Sequence, residues 1–184
     1  MATRTHGPIT EERREQVLAA AIEEFAEHGY HGAKTASIAA RAGISQPYIY
    51  ALFESKLVLF LAVQDLVSVK VREAFTAGWR EAESGTDSKQ DRLMAMGGGY
   101  RRLMADTNVL RCQLQGYAAA SEPEIRDHMR AIYLKNFDTV RSLTGYDGVT
   151  VARFFATGML LNVGSALDLP TEYVYTFPFT SPSA

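Results

Sequence analysis

The sequence predicts an all-α fold, with an N-terminal three-helix domain followed by a larger helical domain. Three observations lead there. Apolar residues recur at i, i+3 and i+4 through most of the 184 residues, the period of amphipathic helices. Glycine, proline and small capping residues punctuate that period. Residues 34–56, KTASIAARAGISQPYIYALFESK, hold two short periodic runs joined by one Gly-centred turn. The domain division is expected at 1–55 and 56–184, with residues 1–9 as a loose arm.

The first helix is expected from Thr10 to His28, with Val17, Leu18, Ala21, Ile22 and Phe25 inward. Glu11 and Glu12 suit the positive end of its dipole. The second carries Ile38, Ala39 and Ala42 and ends at Gly43, a residue free to take the left-handed conformation. Ser45 is a fitting N-cap for the third, and Pro47 falls in its first turn, where no intrahelical amide is required. Ile49, Leu52 and Phe53 then share one face. A long helix is predicted from Lys56 to Glu83, its stripe running Leu59, Phe60, Val63, Leu66, Val67, Val71, Ala74 and Phe75. Residues 84–88 read as a turn and 89–105 as a helix. Gly97, Gly98 and Gly99 weaken that helix by ~2–3 kcal/mol relative to alanine, and allow close packing, a kink or a mobile wall. Asp106-Thr107-Asn108 breaks it, and Val109–Ala120 follows. Ser121-Glu122-Pro123-Glu124 is a start signal with a Ser cap for a helix ending at Gly145. The last helix runs to about Leu167 and is stopped by Pro170. The tail, with Tyr173, Tyr175, Phe177 and Phe179, shows no period and is left as either docked or disordered.

Within 34–56 the inward face of the short helix leaves Gln46, Tyr48 and Tyr50 outside. A surface helix with Gln and two Tyr at its exposed N-terminal half fits the helix-turn-helix that reads a DNA major groove. An ordinary helical hairpin is the alternative, with Gln46 merely solvated and Tyr50 packed on the first helix. Charge speaks against a nonspecific nucleic-acid binder. The net charge is −2, and residues 1–60 hold six bases against seven acids. Six of those acids lie in the first helix, whereas 34–56 has three bases and one acid. The expectation is weak nonspecific binding and dependence on a dimer and a defined site.

Other classes are set aside. Cys112 is the single cysteine, so no intramolecular disulfide framework exists. The histidines at 6, 28, 31 and 128 form no ligand cluster with it, so neither a metal nor a cofactor is expected. Gly97–Gly99 lack the Lys and the preceding strand of a phosphate cradle. No nucleophile elbow or His-Glu metal motif occurs, so an enzyme is not expected. The longest apolar stretch, Phe154 to Leu167, is shorter than a membrane span and interrupted by Asn162. No hydrophobic signal segment opens the chain, and a cytoplasmic protein is expected.

The wider segment RREQVLAAAIEEFAEHGYHGAKTASIAARAGISQPYIYALFESK resembles the N-terminal domain of the TetR family of transcriptional repressors. Phe25, Ala26, Gly29 and Tyr30 match its Phe-Ala-x-x-Gly-Tyr motif. Ile38, Ala39, Ala42, Gly43, Ile44 and Ser45 match its Ile-Ala-x-x-Ala-Gly-Ile-Ser run, and Tyr50, Phe53 and Lys56 its Tyr-x-x-Phe-x-x-Lys close. The match covers roughly residues 10–63. Pro47 stands where the family often has Gly, Leu52 where it often has His or an aromatic, and Ala51 replaces a common polar residue. Lys34 occupies the usual cap position, one residue before Thr35, so the cap is expected to shift. The resemblance implies a DNA-facing set of Lys34, Thr35, Ser45, Gln46, Pro47, Tyr48, Tyr50 and Lys56. Gln46 carries an amide that pairs with adenine N6/N7. It also implies a homodimer that binds a palindromic double-stranded operator and is released by a small molecule.

For the effector, Tyr100, Met104, Gln113, Tyr117, Met129, Tyr133 and Phe137 are the candidates. Methionines and aromatics make an adaptable wall, and each is equally a core residue by its spacing. No inward charge is evident in the sequence, so a mostly neutral, apolar or aromatic molecule is expected. In the family, the last two long helices build the dimer. Here Phe154, Phe155, Gly158, Met159, Leu161 and Asn162 are the candidates, against a helix simply buried within a monomer. Two rival functions stand beside this reading: a helical ligand-binding protein that no longer reads DNA, and a ligand-independent or activating DNA-binding regulator.

Overall fold

The computed structural model describes residues 8–83, 85 and 88–174. The expected arm therefore lies outside the described residues, as does most of the 84–88 turn, and so do Tyr175, Phe177 and Phe179. The described residues form α-helices and no strands: α1 Pro8–Gly32, α2 Thr35–Arg41, α3 Gln46–Leu52, α4 Lys56–Glu83, α5 Lys89–Leu103, α6 Thr107–Ala118, α7 Pro123–Thr144, α8 Gly148–Ala166 and α9 Thr171–Val174.

Helix ends follow local chemistry. α1 is interrupted at Gly29 (φ 66°, ψ 179°), directly after His28. α2 closes in a Schellman turn: Ile44 N–H reaches Ala39 O at 3.0 Å and Gly43 N–H reaches Ala40 O at 3.2 Å. That turn needs a left-handed residue at its centre, and Gly43 has φ 64°. Ser45 holds the cap position of α3 in extended geometry without a side-chain cap bond. Asp147 caps α8 by accepting from Thr150 N–H at 2.8 Å. Asp106 accepts from both Asn108 and Val109 N–H at 3.2 Å, so α6 begins two residues before the expected Val109. α7 begins at Pro123, and Arg126 N–H bonds Glu122 O at 2.9 Å. Glu122, not Ser121, is thus the cap residue.

The chain forms two compact units, Met1–Leu66 with Arg111–Met129, and Val67–Leu110 with Arg130–Ala184. Packing thus divides the chain differently from the continuous 1–55 and 56–184 expected. Two of the three changes of unit fall inside α4 and α7, and the third inside α6.

The first unit has its core at Val17, Phe25, Ile38, Ile49, Phe53, Leu59, Phe60 and Val63, all essentially buried. Phe25 and Phe60 meet edge to face, ring centres 4.8 Å apart, a geometry favoured by the ring quadrupoles. Cys112 is buried there, and desolvation pushes its thiol up to about 12. It is a core residue with a Gln64 amide at its carbonyl, 2.9 Å away.

The second unit is built on Phe75, Trp79, Leu93, Met96, Tyr100, Val140, Val151 and Phe154. Here α5 approaches α4 so closely that side chains are excluded. A Cβ on Gly99 would lie 2.2 Å from Ala74 O, and one on Gly78 2.4 Å from Ala95 O. Of the three roles open to the Gly97–Gly99 run, Gly99 serves close packing, and α5 is one continuous helix across it. The short α9 was not anticipated. Its Val174 is buried, with a methyl 2.5 Å from where a Cβ on Gly164 would stand. α8 begins at Gly148, directly after its Asp147 cap. With 19 residues and mean hydropathy 1.2 it is long and apolar enough to cross a membrane by length and composition, though just 22% of it is buried within the chain.

Gly99→Ala should therefore destabilise the chain by about 1–3 kcal/mol through overpacking, outweighing the ~1 kcal/mol that alanine gains in helix propensity. Gly98→Ala is the control. Its Cβ would meet just Arg101 Nη2 at 3.8 Å, so it should be neutral or stabilising. Urea unfolding midpoints at unchanged m decide the matter.

Candidate functional site

The predicted DNA-facing residues converge at the entry of α2 and α3. Thr35, at the start of α2, is buried. Its hydroxyl accepts from Gln46 Nε2 at 2.8 Å and shares a hydrogen bond with Tyr50 OH at 3.1 Å. One hydroxyl thus joins two α3 side chains to α2. Gln46 uses one amide hydrogen on Thr35. Its second N–H and its carbonyl oxygen are left, the pair that adenine N7 and N6 require. Ser45, Pro47, Tyr48 and Tyr50 are exposed beside it. Tyr50 does not pack inward on α1, the alternative read from sequence.

The basic residues are placed differently from expectation. Lys34 is exposed at the N-cap of α2 and provides no side-chain cap. The cap did not shift to Thr35. Instead the Lys34 N–H donates to Glu24 Oε1 at 3.1 Å. Lys56, expected at a phosphate, sends Nζ to His31 O at 3.2 Å and Ala33 O at 3.1 Å, above the Tyr30 ring. It satisfies carbonyls at the end of α1 and ties the start of α4 to them. Arg41 turns to the acids of α1, 3.0 Å from Glu23 and 3.4 Å from Glu24, and also bonds Glu27. The Glu23 hydrogen bond, with Glu27 and Glu24 beside it, raises the affinity of Arg41 for its proton. Arg14 was missed by the sequence reading. Its Nη1 donates to Leu52 O at 2.9 Å and its guanidinium stacks 4.1 Å from the Phe53 ring centre, closing the C-terminus of α3. Nothing in a local pattern marks Arg14, because its partner lies 38 residues away.

Against the expectation of no ligand cluster, Glu24, Glu27 and His28 bring one potential metal-binding atom each within 4.8 Å of one another. Arg41 already sits on both carboxylates, so their charge is met by a cation of the chain itself.

The seven effector candidates are divided between the two units. Gln113, Tyr117 and Met129 belong to the first unit, where Gln113 Nε2 donates to Tyr117 OH at 3.3 Å and Met129 lies on Gly116. Tyr100, Met104, Tyr133 and Phe137 belong to the second. There Tyr133 and Phe137 join an aromatic cluster with Phe155, ring centres 5.3 and 5.5 Å away. Phe75 connects that cluster to Tyr100 at 5.3 Å and to Phe154 at 5.2 Å. Met104 lines a separate notch of about 280 Å³ with Arg101, Leu161 and Leu169.

The interface candidates all lie on α8, in the second unit. Phe154 is in the core of the second unit, with Phe155 and Leu161 packed against it. Asn162 is buried and accepts from Tyr100 OH at 2.7 Å. Gly158 is half-buried against Tyr100. Of the six, Met159 stands on the exposed face. That face carries Val149, Ala152, Ala156, Met159, Val163 and Leu167 at spacings of three or four.

Residues 17–63 match the family model of the bacterial regulatory proteins, tetR family. The HTH-type transcriptional activator FasR of Mycolicibacterium smegmatis is 42% identical over 85 residues, 46% of this chain and 37% of FasR. The HTH-type transcriptional regulator YdgC of Bacillus subtilis is 43% identical over 49 residues, 27% of this chain and 25% of YdgC. The chain thus spans 37% and 25% of the length of these two relatives. A TetR transcriptional regulator from Chloroflexus aurantiacus superposes with a TM-score of 0.75 at 27% identity, covering 92% of this chain and 93% of that one. The transcriptional regulator FadR of Bacillus subtilis, in complex with stearoyl-CoA, shares the fold with a TM-score of 0.69 at 20% identity, covering 87% and 91%. Residues 17–63 thus match the helix-turn-helix domain of the tetR family, and the chain shares its fold with a TetR transcriptional regulator.

On a duplex the protein selects, Gln46→Ala should cost ~1–3 kcal/mol of discrimination at one base position. Thr35→Val, which keeps size but removes the hydroxyl, should flatten the same position, and Thr35→Ser should restore it. A base-substitution series in a binding assay reads this. Equal losses at every position would show that Thr35 merely supports the fold.

Proposed function

We propose that the chain is a transcriptional repressor that binds a palindromic operator as a homodimer and is released by a small-molecule effector. The observation that carries DNA reading is the outward face of α3, with Gln46 oriented by Thr35 beside exposed Tyr48 and Tyr50. Lys34 and the tyrosine hydroxyls are the phosphate contacts favoured here, since Lys56 bonds carbonyls instead. A dimer places two such faces in successive major grooves, ~34–36 Å apart. In function, residues 1–55 read DNA and 56–184 serve effector binding and dimerisation.

The dimer reading rests on α8. Val149 is 63% exposed, Val163 41% and Leu167 65%, in line with Met159. Leu134 of α7 is exposed as well. An apolar stripe of that length on a soluble helix marks a partner surface, and a second copy supplies the same stripe across a two-fold axis.

The effector is proposed to be largely apolar, received by the second unit. A long-chain acyl thioester is the first probe, because FadR, of the same fold, was crystallised with stearoyl-CoA. The proposed setting is the cytoplasm. A second reading, transcriptional activation, is favoured by one observation, the activator FasR among the relatives.

Selection from random duplexes should return an inverted repeat, and light scattering should give twice the 20.3 kDa chain mass. Met159→Glu should shift the protein to monomer and weaken binding to the full repeat more than to a half-site. A wild-type monomer at micromolar concentration, or a selected site without symmetry, would refute the dimeric reading.

A further inference from the structure

The second unit holds a cation that sequence reading did not reveal. Arg72 projects from the middle of α4 and is half-buried. Its Nη1 donates to Asn136 Oδ1 of α7 at 2.9 Å and to Ser68 Oγ at 2.5 Å, and Ser68 Oγ donates to Asn136 Oδ1 at 3.0 Å. Ser68 is 3% exposed and Asn136 6%. Two buried neutral residues therefore fix one nitrogen of the guanidinium. The Nη2 and Nε hydrogens are left in one plane, the fork that a carboxylate accepts. Among the described residues no Asp or Glu pairs with Arg72. A charge drawn partly out of water without a counterion is costly, and an anion placed there removes that cost.

The surroundings indicate what else the anion carries. One turn further along both helices, Thr76, Lys135, Asp138, Thr139, Ser142 and Leu143 line an open groove of about 830 Å³, the size of a small-molecule site. Lys135 and Asp138 stand on the same wall, so their charges offset one another. Phe75 lies three residues from Arg72 on α4, and Tyr133 and Phe137 flank Asn136 on α7. All three belong to the aromatic cluster with Phe155.

We infer that Arg72 is the carboxylate receptor of the C-terminal unit, and that the effector is a monocarboxylate with an apolar body. Ser68 and Asn136 orient the guanidinium, and the rings beside them take the apolar part. The inference rests on the effector-binding reading above and sharpens it, replacing a neutral ligand by a singly charged one.

The test uses the full chain with decanoate and decanamide, which share an apolar body and differ in charge. Decanoate should raise the melting temperature saturably and decanamide should not. Arg72→Met should weaken decanoate roughly ten- to hundred-fold in Kd, the worth of a charge-assisted hydrogen bond. Arg72→Lys, which keeps the charge but loses the fork, should fall between. Asn136→Ala should weaken decanoate while leaving Arg72 in place, so a folded variant is available if Arg72→Met unfolds. Equal stabilisation by acid and amide would overturn the carboxylate assignment and leave effector binding standing. Selectivity for decanoate that survives both Arg72→Met and Asn136→Ala would place the anion elsewhere and also overturn it. No saturable effect of decanoate on wild type overturns it too. Operator binding without ligand is measured in parallel, so failure of the regulator reading is seen separately.

Discussion

Glu24 is 2% exposed, and a carboxylate at that depth is tolerated when opposite charge and N–H donors replace its lost water. α2 supplies both, from its two ends. The Lys34 N–H at its start donates to one oxygen, and Arg41 at its finish faces the other. A helix of seven residues is far too short to persist alone. Its placement is owed to this clamp and to Ile38 and Ala39 beneath it. α3 inherits that placement through the Schellman turn at Gly43 and through the Thr35 hydroxyl. The orientation of the reading face thus goes back to a buried acid on the preceding helix, an acid that simple charge counting scores against DNA binding.

The same contacts alter the electrostatics. Three bases against one acid in residues 34–56 suggest a basic footprint. Yet Arg41 is taken up by the acids of α1, and Lys56 by carbonyls. Nonspecific affinity scales with the phosphates that free cations neutralise. A face whose cations are tied into its own scaffold attracts DNA weakly in general. Under the proposed function, selectivity then depends on hydrogen bonds at base edges and on a second copy of the chain. That is consistent with a chain whose net charge is −2.

Helix ends were legible wherever one residue decides them. Gly43, Gly145, Lys56 and Pro123 each mark a boundary that the structure keeps. Long-range partners were not legible. Lys56 and Arg14 look like surface bases because their acceptors are backbone carbonyls more than twenty residues away. Along α8 apolar residues fall on several faces, so periodicity alone does not say which face turns inward; Phe154 and Asn162 are buried within the unit. The sequence does not mark Arg72, because one of its two buried partners lies on α7, 64 residues away. α9 is four residues long, below the length at which a period exists.

Ligand-gated release needs an element whose position both DNA and effector bias. α4 has the properties required. It is one unbroken helix from Lys56 to Glu83. Its first residue is bonded to the carbonyls of His31 and Ala33, at the end of the helix that carries Glu24. Its middle carries Arg72, held to α7 through Asn136. In the proposed regulator, an effector that binds Arg72 more tightly in one arrangement of α4 and α7 favours that arrangement. The effect on operator affinity equals that preference and no more, since an effector indifferent to the shift moves no equilibrium however tightly it binds. Ser68 and Asn136 bear on this directly. By fixing the guanidinium to α7 they make its position depend on how α4 and α7 are arranged, which gives an anion bound there a way to distinguish one arrangement from another.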